Sequence, residues 1–237
     1  MHFRHLVAVL FFFIAVRPAF SEEYEPVVLQ LKWMHQFQFA GYYAAKHKGF
    51  YNAAGFEVTI RQRDPKTTAI NDVLEGRAQY GVADSSIVLQ RLLSKPVVIT
   101  STVFQHSPLV LMSLANSGIR NITDLVGKKI MFQRGIDDAS LLAMLLINGI
   151  LEKDYTFIKH NFDNMSLLKG DSDVMSAYLT NQPNVYRSLG HEVALFDPVN
   201  YGVDFYGDLL FTTQHNVENN LARVEAFTQA SLKGWQY

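Results

Sequence analysis

Residues Val27 to Tyr51 read VVLQLKWMHQFQFAGYYAAKHKGFY, and this stretch decides the fold. Val27 to Trp33 is apolar enough for a buried strand. Phe39 to His47 has helical character, and Gly49 follows as a C-cap, where a left-handed residue ends a helix. Between them lies MHQFQ, an aromatic and amide-rich loop. A strand that delivers an indole and two glutamines to the mouth of a helix is suited to grip a small flat molecule.

Outward from this unit the pattern repeats. Phe56, Val58 and Ile60 alternate with polar residues, the period of a half-buried strand. Thr67 to Gly76 reads as a helix with Ile70, Val73 and Leu74 on one face. A strand at Ala78 to Ala83, a helix at Ser85 to Leu93 and a strand at Val97 to Phe104 follow. Alternation of strand and helix predicts a parallel α/β sheet. The alternation then restarts. Strands are expected at Leu109 to Leu114, Lys129 to Gln133, Thr156 to Lys159, Val174 to Tyr178 (or its edge), Val193 to Phe196 and Leu209 to Thr213. Helices are expected at Asn121 to Val126, Asp138 to Asn148, Met165 to Lys169, Asn184 to Leu189 and Val217 to Tyr237. The expected architecture is α/β with two lobes: 22–106 with 196–237 form the first, and 107–195 the second. Two crossings, near 105–109 and 195–200, make a hinged clamshell whose strand ends face a shared cleft.

Residues 1–21 carry Arg4, an apolar stretch from Leu6 to Val16, then Pro18, Ala19 and Ser21. This is the order of a secretory signal peptide, and the apolar stretch is short for a permanent anchor. The mature part is expected in the periplasm. Cysteine is absent, which excludes disulfide and thiolate chemistry. Net charge is −1 without a clustered basic run, which argues against nucleic acid as a partner.

Candidate ligand-binding residues follow from position. Trp33 offers a wide π face for stacking. Gln36 and Gln38 carry both donors and acceptors. Of Tyr42 and Tyr43, one is expected to face the cleft and the other the core; Tyr42 enters the candidate set. Asp84, Ser85 and Ser86 open a helix, where they serve either as caps or as ligand contacts. Gln105, His106 and Ser107 lie at the first crossing. Arg134 to Asp138 repeats the strand-to-helix geometry in the second lobe. Tyr201, Asp204, Tyr206 and Asp208 form an aromatic and acidic loop after the return crossing. The aromatics and carboxylates suit a flat, amine-bearing ligand better than a sulfonate, which needs a committed Arg or Lys. The histidines show no metal-ligand spacing, and no GxSxG is present.

The segments LKWMHQFQFAGYYAAKHKGFY, GFEVTI, INDVLEGRAQYGVADSSIVLQRLLSKPVVI, DLVGKKI, GDSDVMSAYLTNQPNVYRSLG, YGVDFYGDLLFT and FTQASLKGWQY stand in this order. Together they resemble the periplasmic solute-binding proteins of ABC importers, in the branch of thiamine-pyrimidine-precursor binders and thiamine pyrimidine synthases. Alkanesulfonate binders are more distant relatives. The resemblance implies the type II periplasmic-binding fold. It also implies a small aromatic heterocycle as ligand, a thiamine pyrimidine precursor foremost, and a membrane permease as partner. It adds Asp173, Tyr178 and Asn181 to the candidate residues, with Asp173 alternatively a structural partner. An alternative is the outer sensing domain of a membrane kinase or diguanylate cyclase, with a fused signalling domain in place of the permease. Members of the family continue past the last helix, which implies a chain truncated at its C-terminus.

A second alternative, the synthase, requires pyridoxal phosphate on a lysine, a nearby histidine and a cysteine run. The resemblance puts the lysine at Ala83 and the histidine at Ile87, and the cysteines are missing. A binding protein without a cofactor is therefore the expectation.

Overall fold

The structure is a computed structural model that describes residues 23–133 and 138–237. The signal-peptide reading and Arg134 lie outside the described residues. In chain order the first unit is β1 (Glu25–Gln30), α1 (Ala40–His47), α2 (Phe50–Ala53), β2 (Phe56–Arg61), α3 (Ala69–Leu74), β3 (Tyr80–Ala83), α4 (Ile87–Leu92) and β4 (Val97–Thr102). The second is β5 (Leu109–Leu114), β6 (Lys129–Phe132), α5 (Ala139–Ile147), β7 (Thr156–Lys159), α6 (Ser166–Lys169), β8 (Val174–Tyr178), α7 (Gln182–Ser188) and β9 (Val193–Phe196). The chain then returns through β10 (Leu209–Thr213), α8 (Gln214–Asn219) and α9 (Leu221–Gln236).

Two five-stranded sheets result, ordered β2-β1-β3-β10-β4 and β7-β6-β8-β5-β9. Both are mixed, where the alternation predicts parallel sheets. β10 runs antiparallel to β3 and β4, and β5 runs antiparallel to β8 and β9. The reason is the crossover: each of these strands enters its sheet from the other lobe, so it arrives in the opposite direction. β8 lies in the middle of its sheet and not at an edge, which is why all five of its residues are buried.

Period-two patterning shapes β2, where Phe56 and Val58 are buried and Glu57 and Thr59 exposed. Gly49 takes φ +74°, the left-handed conformation that ends α1 at low steric cost. The expected last helix is broken. Thr213 caps α8 by accepting from the Asn216 N–H at 3.1 Å, and Asn220 leaves helical geometry before α9 starts. α9 then lies across α1. Its Phe227 ring stacks on Tyr80 with 3.7 Å between centroids, and Tyr51 lies 5.1 Å from the same ring. Gly41 and Gly234 meet where the helices cross. A Cβ on Gly234 would run into the Gly41 carbonyl oxygen, and one on Gly41 would run into the Trp235 ring.

The two crossings pair with each other. Val103 N–H donates to the Asp208 carbonyl at 2.8 Å, Gly207 N–H to that of Phe104 at 2.9 Å, and Ser107 N–H to that of Phe205 at 2.7 Å. Gly207 is needed here for space, since a Cβ would sit 2.8 Å from Phe104 and 2.9 Å from Pro108. The hinge is thus a short two-stranded ribbon.

Candidate functional site

The C-terminal ends of β1, β3, β6 and β8 converge between the lobes. Lys32 lies just past β1, with its side chain 14% exposed. Its Nζ stands 2.8 Å from Asp84 Oδ2, 3.2 Å from the Tyr178 hydroxyl and 3.5 Å from Asp208 Oδ1. Asp208 is fully buried and accepts on both oxygens, from the Tyr178 hydroxyl at 2.6 Å and from Gln38 Nε2 at 2.8 Å. Gln38 in turn accepts from Gln36, which accepts from Asn181. Lys32, Gln36, Gln38, Asp84 and Asp208 belong to the first lobe, and Tyr178 and Asn181 to the second. The network therefore ties the lobes together by hydrogen bonds.

Burial alone would lower the Lys32 ammonium, but Asp84, Tyr178 and Asp208 together hold its pKa well above the usual value. Burial also raises the Asp208 carboxyl, against the opposing pull of Lys32, Tyr178 and Gln38. Burial, reinforced by Asp208, pushes the Tyr178 phenol well up. The cluster is therefore a protonated lysine committed to two carboxylates. An anionic ligand head placed here would meet both carboxylates as well as the cation.

Beside this cluster Trp33 packs across the cleft. Its ring lies edge-on to His160 at 5.2 Å and tilted against Phe162 at 4.9 Å. His160 Nδ1 accepts from the Phe162 N–H at 2.9 Å, which leaves the proton of the neutral ring on Nε2. Burial, with Arg63 nearby, lowers His160 to about 4. Between Lys32, Trp33, Gln38, Gln133, Ser176 and Tyr178 the enclosed space is about 30 Å³. That suffices for a water or two. It is far below the several hundred Å³ of a small-molecule pocket, so a ring must part the lobes or displace the Trp33 contacts to enter.

The structure brings Trp33, Gln38, Asp84, Tyr178 and Asn181 together at this cleft. It gathers a second group, Ser85, Gln105, Asp204 and Tyr206, beside the hinge, around an open hollow of about 490 Å³. There Asp204 accepts from or pairs with His106 Nδ1 at 2.9 Å, and both are largely exposed. Three candidates lie elsewhere. Tyr42 is the core-facing tyrosine, fully buried with its ring 5.4 Å from Trp235. Tyr43, which is not one of the three, bonds His35 at the surface. Asp173 precedes β8, at the end of the strand away from the cleft, and accepts the Lys129 N–H at 2.8 Å. Tyr201 packs against the second lobe's core. Lys32, His160 and Phe162 are cleft residues that the sequence reading passes over.

A family model described as NMT1/THI5 like matches residues 36–237. The chain belongs to the NMT1/THI5-like family. Among curated proteins, this NMT1/THI5-like chain is similar to a riboflavin-binding protein, RibY, of Chloroflexus aurantiacus, with 28% identity over 89% of this chain and 61% of the relative. It is also similar to a formylaminopyrimidine-binding protein of Halalkalibacterium halodurans, with 25% identity over 92% of this chain and 67% of the relative. The chain thus spans about two thirds of the length of these relatives. Among solved structures it is similar to the alkanesulfonate-binding protein SsuA from Xanthomonas axonopodis pv. citri bound to MOPS. The TM-score is 0.70 at 15% identity, over 90% of this chain and 73% of the other. SsuA from Escherichia coli gives 0.67 at 16% identity, over 89% and 72%. The fold is that of the type II periplasmic binding proteins.

Proposed function

We propose that this chain binds a small amine-bearing aromatic heterocycle in the periplasm, a thiamine pyrimidine precursor foremost, and presents it to the permease of an ABC importer. The observation that carries this reading is the cluster of Lys32, Asp84 and Asp208 beside Trp33. Its cation is already paired with two carboxylates, so a sulfonate would meet two negative charges there, whereas ring amines could take over acceptor positions that Lys32, Tyr178 and Gln38 now fill. The names of the two curated relatives, one a flavin binder and one an aminopyrimidine binder, support a flat nitrogen heterocycle.

The ring would lie against Trp33 in place of part of the His160 and Phe162 contact, with its amine toward Asp84 or Asp208. Contacts from both lobes would stabilise the closed form by the ligand's differential affinity. Synthase chemistry is disfavoured by the same residues. Ala83 and Ile87 pack in a core cluster, and Lys32 is held as an ammonium, which has no lone pair for a Schiff base.

Titration of the mature protein with formylaminopyrimidine, hydroxymethylpyrimidine, thiamine, riboflavin, taurine and nitrate, followed by tryptophan fluorescence, tests the reading. Binding of the aminopyrimidines is expected, with loss in Trp33→Ala. Binding of the two anions alone would refute it, and formation of a pyrimidine from pyridoxal phosphate would overturn the non-enzymatic role.

A further inference from the structure

Next to the cleft lies a second hollow of about 190 Å³, between the loop after β2 and the ends of β6 and β7. Among the described residues, Arg63, Lys66 and Lys159 line it, and no aspartate or glutamate does. Among the described residues, neither Lys66 nor Lys159 forms an ion pair. The Arg63 guanidinium is placed over the Phe162 ring, 5.6 Å from its centroid. Thr68 Oγ1 accepts from the Asn71 N–H at 3.1 Å, so its own hydroxyl hydrogen remains for a further acceptor. Gln133 borders both this hollow and the enclosed cleft, and His160 and Phe162 form the wall between the hollow and the Trp33 ring.

The chemistry of the two spaces is opposite. The cleft offers carboxylates around a committed lysine. The hollow offers uncommitted ammonium groups, a hydroxyl and amides, which is the donor set for a phosphate or carboxylate. Lys66 comes from the first lobe and Lys159 from the second, and both line the hollow, so an anion held between them would favour closure.

We propose that this hollow is a subsite for an anionic substituent, foremost a phosphate monoester, carried on a heterocycle whose ring lies at Trp33. The inference rests on the heterocycle reading only for where the ring sits. The ring's donors then face Asp84 and Asp208, and its anionic arm passes Gln133 to reach Lys66 and Lys159.

The test compares each alcohol with its phosphate ester by calorimetry on the mature protein: hydroxymethylpyrimidine against its monophosphate, and riboflavin against its 5′-phosphate. The expected result is an ester at least about 10-fold tighter than its alcohol at low salt, with the advantage shrinking as salt screens the lysines. The double variant Lys66→Ala with Lys159→Ala is expected to lose the advantage while binding the alcohol unchanged. Equal affinity of ester and alcohol, or an advantage that survives in the double variant, would overturn the subsite. Inorganic phosphate binding as tightly as the ester would overturn the substituent assignment and mark a free-anion site. If neither alcohol nor ester binds, the heterocycle reading fails on its own. The hollow is then judged with inorganic phosphate: binding lost in the double variant sustains an anion site, and no binding removes it.

Discussion

At the residue scale, Lys32 sets the character of the cleft, and nothing in its local sequence marks it. After an apolar strand a lysine reads as the solvent-facing end. Its burial depends on Tyr178, 146 positions away, and on Asp208, so no local pattern carries it. Lys32→Met is expected to leave Asp208 as an uncompensated buried charge and to cost roughly 3–5 kcal/mol, measurable as a lowered urea midpoint. Adding Asp208→Asn should restore part of the loss. His160 gives a pH signature. The folded protein resists protonating it down to about 4, whereas the unfolded chain protonates it near 6.5. Its contribution to stability is therefore full above pH 6.5 and is lost as pH falls toward 4. The difference in unfolding free energy between wild type and His160→Phe should shift by roughly 3 kcal/mol between pH 7 and pH 4. The positions of Trp33 and Asp84 could be read because each follows a recognisable strand, while Tyr178, the last residue of β8, enters only through the family resemblance. For Asp173, sequence order leaves open a ligand contact or a structural partner, and the structure places it at the start of β8 as the acceptor of the Lys129 N–H.

At the element scale, periodicity carried most of the fold. β5, β7, β8, β9 and β10 match their expected ranges, because short apolar runs between turn residues have few other ways to be buried. Strand direction was not legible, since antiparallel insertion of β5 and β10 is a property of the crossovers and leaves no trace in hydrophobic spacing. The four-residue α2 and the 3₁₀ turn at Phe37–Phe39 were missed for lack of a full period. The contact of α1 with α9 is equally invisible in spacing, yet it depends on two glycines. Gly234→Ala raises helix propensity by about 1 kcal/mol, but the added methyl meets the Gly41 carbonyl. A net destabilisation of about 1–3 kcal/mol is expected, read as a lower melting temperature. The sign is the informative part, because a helix packed less closely would be stabilised by the same change.

At the scale of the whole molecule, the lobes are joined by the hinge ribbon, by the Lys32, Tyr178 and Asp208 network and by Trp33 against His160 and Phe162. Opening must break all but the first. With Trp235→Phe, Trp33 is the remaining tryptophan and reports the cleft alone. Acrylamide quenching of its fluorescence is expected to fall on addition of a ligand that bridges the lobes; unchanged quenching at saturation would argue against closure. The path of the chain has a further consequence, for the order of folding. Strands β5 to β9 are contiguous, so the second sheet can assemble as soon as its own residues are available. The first sheet cannot. β10 is inserted between β3 and β4, and α9 ties back to the start of β1, with Arg223 Nε 2.6 Å from Glu25 Oε1. Closing that long loop makes the first lobe the slow step. Refolding followed by pulsed hydrogen exchange should protect the amides of β5 and β8 before those of β1 and β3.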